Sequence, residues 1–259
     1  MKVIGNLTKD AIIRAAVSEG LTFTQAVGTP VDVDTVASTS AKIAFDSSKN
    51  KVVVVYTDKG NGYQGRAVVG TVDASNNSIS FGSVATFHAA EVQNDHFAVT
   101  FDSNSNKTVI CFTDSFDSGK GKAIVGTVSG TSISFGSAAQ FSANNTTMMA
   151  CTFDSNLNKV VAVFKDQTNS DYGTAVVGTV SGTSISFGST VVFNSNNTSY
   201  PNPTFDTSNN KVVIRALLNV SRSVHLKRLK TVLISSNLQL STTSSPIFHL
   251  FMLHGHCDA

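Results

Sequence analysis

The sequence predicts an all-β chain of tandem four-stranded antiparallel units, arranged as β-propeller-like blades, with three full units plus a partial first and last one. Three observations predict it. Short motifs recur at a nearly constant step: Phe-Asp at Phe45, Phe101, Phe153 and Phe205, Gly-Thr-Val at Gly70, Gly126 and Gly178, and Ile-Ser-Phe-Gly at Ile79, Ile133 and Ile185, all spaced by 52 to 56 residues. A step of that size marks a repeat architecture in which each unit is one supersecondary element. Charged residues make up only 14% of the chain while hydrophobic ones reach 41%. Gly, Ser, Thr and Asn fill the difference, a mix that suits short strands and tight turns.

The third unit shows the elements in order. Strand one is Met149–Phe153, and the turn Asp154–Asn158 follows. Asp and Ser start such a turn by accepting from nearby backbone N–H groups, and Asn near its end tolerates left-handed backbone. Lys159–Phe164 is an apolar β-branched run with no polar interruption, the pattern of a strand buried on both faces. A polar loop, 165–172, leads to strand three, Thr174–Val180, and Ser181-Gly182 forms a tight hairpin turn. Strand four runs from Ser184 to about Phe193. It alternates Ile185 and Phe187 with Ser184 and Ser186, so one face is wet and the strand belongs at an outer edge. Four such strands per unit is the pattern of a propeller blade. A linear β-solenoid or a string of small sandwiches is the alternative. The repeat domain spans 21–214, with units at about 41–91, 92–144 and 145–195 and a partial one at 199–214.

The two ends depart from the repeat. Residues 1–20 form a leader, in which Thr8 caps a helix over Lys9–Glu19 that ends at Gly20. Leu21–Val31 reads as a fourth strand lacking its first three, the orphan outer strand with which a propeller often closes. Three full units are few for a ring, so closure requires a degenerate fourth blade, a homo-oligomer, or a longer chain. After Ile214 the repeat stops. Its sisters predict Gly-Thr-Ala-Val-Val-Gly-Thr-Val. The chain instead gives Arg215-Ala216-Leu217-Leu218-Asn219 and an aberrant basic tail, 215–259, which reads as the product of a frameshift or recombination. A native tail would instead be a defined helix or strand set.

Charge and cysteine usage exclude several classes. The tail holds five of the 19 basic residues and one of the 17 acids, which leaves 14 basic and 16 acidic residues before it. A slightly acidic repeat region has no footprint for a phosphate backbone, so no nucleic-acid partner is expected. Cys111, Cys151 and Cys257 are too few for a disulfide framework. Cys111 falls where sister units carry Val55 and Val163, and so reads as a small buried hydrophobe. No apolar run approaches transmembrane length, and Met1-Lys2-Val3-Ile4 is too short for a secretory signal, so exit from the cell would need another mechanism, such as release by lysis.

The chemistry sits in polar connections. Between strands two and three lie Asp58, Asn61 and Tyr63; Asp114 and Asp117; and Asp166, Asn169, Asp171 and Tyr172. Between units lie His88, Glu91, Asn94, Asp95 and His96; Asn144, Asn145 and Thr146; and Asn196, Asn197 and Tyr200. Carboxylates and carboxamides beside an aromatic ring are the chemistry of sugar recognition: polar groups bond paired hydroxyls while the ring covers the apolar face. Solvated loops rich in turn formers show the same composition. Asp58-Lys59-Gly60-Asn61-Gly62 lacks the third ligand and distal Glu of a calcium loop. His249, His254, His256 and Cys257 lack the paired spacing of a zinc site. No metal or cofactor is expected. No nucleophile elbow, phosphate loop or dinucleotide fingerprint occurs.

Two resemblances add to this. Lys2–Arg14 resembles the opening strand and turn of bacterial single-stranded-DNA-binding proteins, but nothing after it continues that barrel. The repeat itself, Phe-Asp-Ser-x-x-Asn-Lys-Val-Val-Val with Gly-Thr-Ala-Val-Val-Gly-Thr-Val-Ser-Gly-Thr-Ser-Ile-Ser-Phe-Gly, resembles tandem repeats of bacteriophage tail-fibre and other virion-associated proteins, over about Leu21–Ile214. It implies a host-surface or structural role, in a virion or outside the cell after lysis. The expectation is therefore a non-enzymatic module that binds cell-surface glycan. A purely structural particle component and a glycoside hydrolase, with Asp117 or Asp171 as the acids to replace, are the alternatives.

Overall fold

A computed structural model describes residues 28–219 and 227–234. The predicted leader helix, most of the orphan strand and the histidines of the tail lie outside the described residues. The molecule divides into a small unit, residues 1–30 with Asp73–Ser78, and a large one, Val31–Val72 with Ile79–Ala259. In the small unit the described turn is held by Asp73, whose carboxylate accepts from the backbone and hydroxyl of Ser75.

The chain is all-β and antiparallel, with four repeats. Repeat I contains β1 (Ser38–Asp46), β2 (Lys51–Asp58), β3 (Gln64–Asp73) and β4 (Ser78–Phe81). The long strand β5 (Ala85–Asp102) leads into repeat II, with β6 (Lys107–Asp114), β7 (Lys120–Ser129) and β8 (Ser132–Phe135). Then β9 (Ala139–Asp154) leads into repeat III, with β10 (Lys159–Asp166), β11 (Tyr172–Ser181) and β12 (Ser184–Phe187). Last, β13 (Val191–Asp206) leads to β14 (Lys211–Asn219) and β15 (Lys227–Ile234). One hydrogen-bonded path runs β1-β2-β3-β5-β6-β7-β9-β10-β11-β13-β14-β15, with β4, β8 and β12 attached to β3, β7 and β11. Among the described residues the path does not close on itself.

The Phe-Asp turns form as the residue types require. Asp46, Asp102, Asp154 and Asp206 each accept from two backbone N–H groups two and three residues on, at 2.9–3.1 Å. Each turn ends on an Asn in left-handed backbone: Asn50, Asn106, Asn158 and Asn210, with φ of 52–56°. The lysine that follows donates to the threonine of Gly-Thr-Val across the sheet: Lys51 to Thr71, Lys107 to Thr127 and Lys159 to Thr179, at 2.7–3.0 Å.

The second strands of repeats I to III are buried on both faces, as their apolar runs predict, whereas β14 buries Val212, Ile214 and Ala216 and leaves Arg215 exposed. Ile110 and Phe112 pack with Val53, Val55 and Phe87 of repeat I. Their neighbours Val109 and Cys111 point the other way, onto Val160, Ala162 and Phe164 of repeat III. Val161 and Val163 continue the alternation onto Val212 and Ile214. Cys111 is fully buried, a small core residue as expected. Each such side chain contributes roughly 1.5–3 kcal/mol by leaving water.

Four details differ from the sequence reading. First, strand four is two segments: β12 stops at Phe187, and pairing resumes at Val191. Second, the connections between repeats are strands rather than loops. His88–His96, Asn144–Thr146 and Asn196–Tyr200 lie within β5, β9 and β13. Their backbones pair first with strand three of the repeat behind (Lys120 with Asn145) and then with strand two of the repeat ahead (Asp166 with Thr146). A ladder satisfies backbone groups whatever the side chains, so polar sequence does not prevent it. Third, the hairpin turn holds Gly182 and Thr183 between paired Ser181 and Ser184, with Gly182 at φ 61°. Fourth, β14 runs past Ile214 to Asn219, and β15 pairs with it in the place of a third strand.

Two glycines in each third strand make room for the fourth. The ring of Phe87 lies against Gly65, that of Phe141 against Gly121 and that of Phe193 against Gly173. A Cβ on Gly173 would stand 2.6 Å from the Phe193 ring. Ile133 and Phe135 cover Gly126 in the same way, and Ile185 and Phe187 cover Gly178. The Gly-Thr-Val and Ile-Ser-Phe-Gly motifs are thus two halves of one contact. Gly121→Ala should drive the new methyl into Phe141 and lower stability by about 1–3 kcal/mol in urea unfolding. The same change in Gly121→Ala/Phe141→Leu should cost less, because the ring that blocks the methyl is gone. Equal losses in both backgrounds would refute this account of the glycine.

Candidate functional site

The connections between strands two and three all lie at one end of the repeats. In repeats I and II each is a single 3₁₀ turn, Lys59–Asn61 and Ser115–Asp117, capped by the preceding aspartate. Asp58, Asp114 and Asp166 are 2%, 4% and 5% exposed. One oxygen of each builds the turn. Asp58 accepts from the Asn61 amide at 3.2 Å, Asp114 from those of Phe116 and Asp117, and Asp166 from those of Thr168 and Asn169. These three aspartates are therefore cap residues that face inward.

The second oxygen takes a different partner in each repeat. On Asp58 it is the Asn61 carboxamide at 2.6 Å, with the Arg66 guanidinium at 3.2 Å. On Asp114 it is Lys122 at 2.8 Å, and His88 of β5 lies at 3.3 Å without the alignment of a hydrogen bond. On Asp166 it is Asn144 of β9 at 2.7 Å. In the last two cases the polar stretch of the repeat behind reaches the cap of the repeat ahead.

Further pairs form at this end. Asn197 donates to Asp171 at 2.8 Å, and Lys165 meets the same carboxylate at 3.1 Å. The Asn145 amide donates to Thr168 at 3.1 Å. The Tyr172 amide donates to the Asn169 carbonyl, and the Tyr63 carbonyl accepts from Val92. The two sets of polar residues predicted from the sequence therefore do meet. Asn61 and Asn169 are exposed at the tips, and Tyr63, Asp117, Asn145, Asp171, Tyr172 and Asn197 are half-buried. His96 stands apart and lines a cavity among the first strands of the repeats. Among the described residues no three His, Cys, Asp or Glu side chains converge as a metal site. No described helix is long and apolar enough to cross a membrane.

Sequence reasoning missed Phe116. It sits at the tip of the second turn and is 79% exposed. Its counterparts are Gly60 and Thr168, so an aromatic ring among turn formers with no match in the sister repeats was the available signal. Beside it Asp117 is held by two ammonium groups, Lys120 and Lys122, each at 2.8 Å.

The electrostatics of this cluster are one-sided. Hydrogen bonds from Lys120 and then Lys122 hold the Asp117 carboxyl down at about 2. Burial pushes Asp114 up, but Lys122 and the charge of His88 outweigh it and leave the carboxyl low. A carboxyl whose folded value lies below its unfolded one, about 3.9, adds stability above that unfolded value and loses it as pH falls toward the folded one. The protein should therefore lose stability between about pH 4 and pH 2. The Lys122→Met variant should lose less over the same window, in urea midpoints taken across that range. Parallel losses in both proteins would refute the assignment.

No protein-family model and no curated protein matches the chain. Among solved structures it is similar to an N-acetylgalactosamine deacetylase from F. plautii, crystallised in complex with blood group B trisaccharide. The identity is 10% and the TM-score 0.44, over 75% of this chain and 66% of that structure. The expectation of a chain that is not an enzyme is withdrawn. The lack of a familiar catalytic motif is no ground for excluding catalysis. A likeness of this size assigns neither activity nor ligand.

Proposed function

We propose that the chain is a propeller-like module that binds cell-surface glycan through the turn-bearing end of its repeats, on a virion or outside the cell. The observation that supports this reading is Phe116, an aromatic ring 79% exposed and flanked along the same end by the exposed carboxamides Asn61 and Asn169. A ring covers the apolar face of a hexose while carboxamides bond its hydroxyls. The related turns of three repeats supply several weak contacts that add through multivalency. The propeller-like arrangement is supported by the first strands of the four repeats, β1, β5, β9 and β13, which together line one cavity. The virion setting rests on the resemblance of the repeat to tail-fibre sequences. On an array of neutral hexose and N-acetylhexosamine oligosaccharides the chain should bind. Phe116→Ala should weaken the strongest hit at least tenfold, about 1.4 kcal/mol. An array without hits would end the glycan reading.

A second reading, a structural unit completed by another copy, is favoured by one observation. Ile43 and Phe45 on β1 are 66% and 54% exposed, while their counterparts Val99, Cys151, Phe153 and Phe205 pack on the core of the repeat behind. If that face is covered by a second copy, light scattering should give a mass above 27.2 kDa, and Ile43→Lys/Phe45→Lys should return it to the monomer value. A monomeric wild-type protein would remove this reading.

A further inference from the structure

Two of the three cysteines of the chain meet across the boundary between repeats II and III. Cys111 on β6 is fully buried in the core between these repeats, and Cys151 on β9 packs against that same core from the other side. A hydrogen bond joins the two thiols.

Comparison of the repeats with each other shows what is unusual here. The same contact is made at each boundary, between the fifth residue of a second strand and the residue two before the Phe-Asp phenylalanine of the next first strand. Between repeats I and II it is Val55 with Val99, which share a core. Between repeats III and IV it is Val163 with Pro203, the ladder partner of Ile214 in that core. Between repeats II and III it is Cys111 with Cys151. Both sides of the contact have changed, and to the same residue. A small buried hydrophobe accounts for Cys111 alone. It does not account for a second cysteine at the one position that faces it.

The surroundings suit a bond between them. Ala98 and Ala123 flank Cys111 on the ladder, and Ala162 stands opposite Cys151. No large side chain occupies these positions as the sulfurs close to a bond length of about 2.05 Å. Cys151 is half-buried and lines the open cavity among the first strands, whereas Cys111 has no exposed surface. A small oxidant therefore reaches Cys151 first.

We infer that Cys111 and Cys151 form a disulfide that ties repeat II to repeat III once the protein meets an oxidising medium. The oxidant is a peroxide. Cys151 gives up two electrons to hydrogen peroxide and becomes a sulfenic acid, with release of one water. The Cys111 sulfur then attacks the Cys151 sulfur. The S–O bond breaks, the S–S bond forms, and the hydroxyl leaves with the Cys111 proton as a second water. The hydrogen bond with Cys111, together with burial, pushes the Cys151 thiol up, so the reactive thiolate is scarce at neutral pH and the first step is slow there. The bond closes a loop of 40 residues, which restricts the unfolded chain and so stabilises the fold.

The test uses the full chain carrying Cys257→Ser, so that the tail thiol takes no part. The protein is exposed to hydrogen peroxide, its remaining thiols are alkylated, and the monomer fraction is digested with trypsin without reductant. Peptides 108–120 and 123–159, which carry Cys111 and Cys151, should appear as one cross-linked species that dithiothreitol separates. Cys111→Val/Cys151→Val restores the pair found between repeats I and II, and treated alike it controls for methionine oxidation. Relative to that variant, peroxide should raise the melting temperature of the cysteine protein by about 5 °C or more. Alkylation of both cysteines after peroxide would overturn the inference. So would oxidation of Cys151 to a sulfinic acid with Cys111 still free, or a cross-linked protein that gains no melting temperature over the variant.

Discussion

Everything in this fold depends on strands that belong to two sheets at once. β5, β9 and β13 each spend their first half as the outer partner of one repeat and their second half as the first strand of the next. A one-residue slip in either half would turn the apolar residues of that half away from the core. The two halves therefore fix each other's register. The bulges with Met148 and Tyr200 lie just past the point where the ladder changes partner, two residues into the pairing with the repeat ahead. Those bulges in turn decide which side chains look into the cavity.

Burial of the second strand follows from the same arrangement. Successive repeats stack face to face, so β6 and β10 feed alternate side chains into two cores. This is why Val109–Phe112 and Val160–Phe164 carry no hydroxyl, amide or charged side chain. The glycines of the third strand serve the same stacking, since the ring of Phe141 needs the space that a Cβ on Gly121 would fill. Turn, ladder and core are each a local solution, and they agree with one another in every repeat.

Local causes are also what made parts of the fold legible. The Asp-Ser-x-x-Asn turn, the buried second strand and the wet outer strand could be read because a short stretch contains both the residues and their partners. Asn144–Thr146 could not be read as strand, since the backbones that pair with it lie at Lys120 and Asp166, far away in sequence. The candidate site divides in the same way. Asp58, Asp114 and Asp166 were recognisable as turn residues, but the partner of each second oxygen comes from Arg66, Lys122 and Asn144, at a distance in the sequence. The cavity was hidden because its lining comes from four repeats. Comparing the repeats with each other, position by position, exposes it as the place where they disagree.

The ends of the array show what the stacking requires. An internal repeat has a core on each side, whereas an end repeat has one. In a stacked array stability is close to a sum of each repeat and its interfaces, so losing a neighbour weakens the repeat that remains. Repeat I compensates in part with its own chain. Val33 and Val36 cover Val54 and Tyr56, and the Tyr56 hydroxyl donates to Asp34 at 2.6 Å. Burial, reinforced by that carboxylate, pushes the phenol well above its usual value, so the bond keeps its proton at any ordinary pH. The cover stops short of the inner strand, where Ile43 and Phe45 remain exposed. Apolar residues stand at those positions in the other repeats, and there Val99, Cys151, Phe153 and Phe205 pack against the core. The exposure in repeat I is therefore a direct consequence of the repeat's design: the inner strand carries apolar residues at these positions whether or not a neighbour is there to meet them.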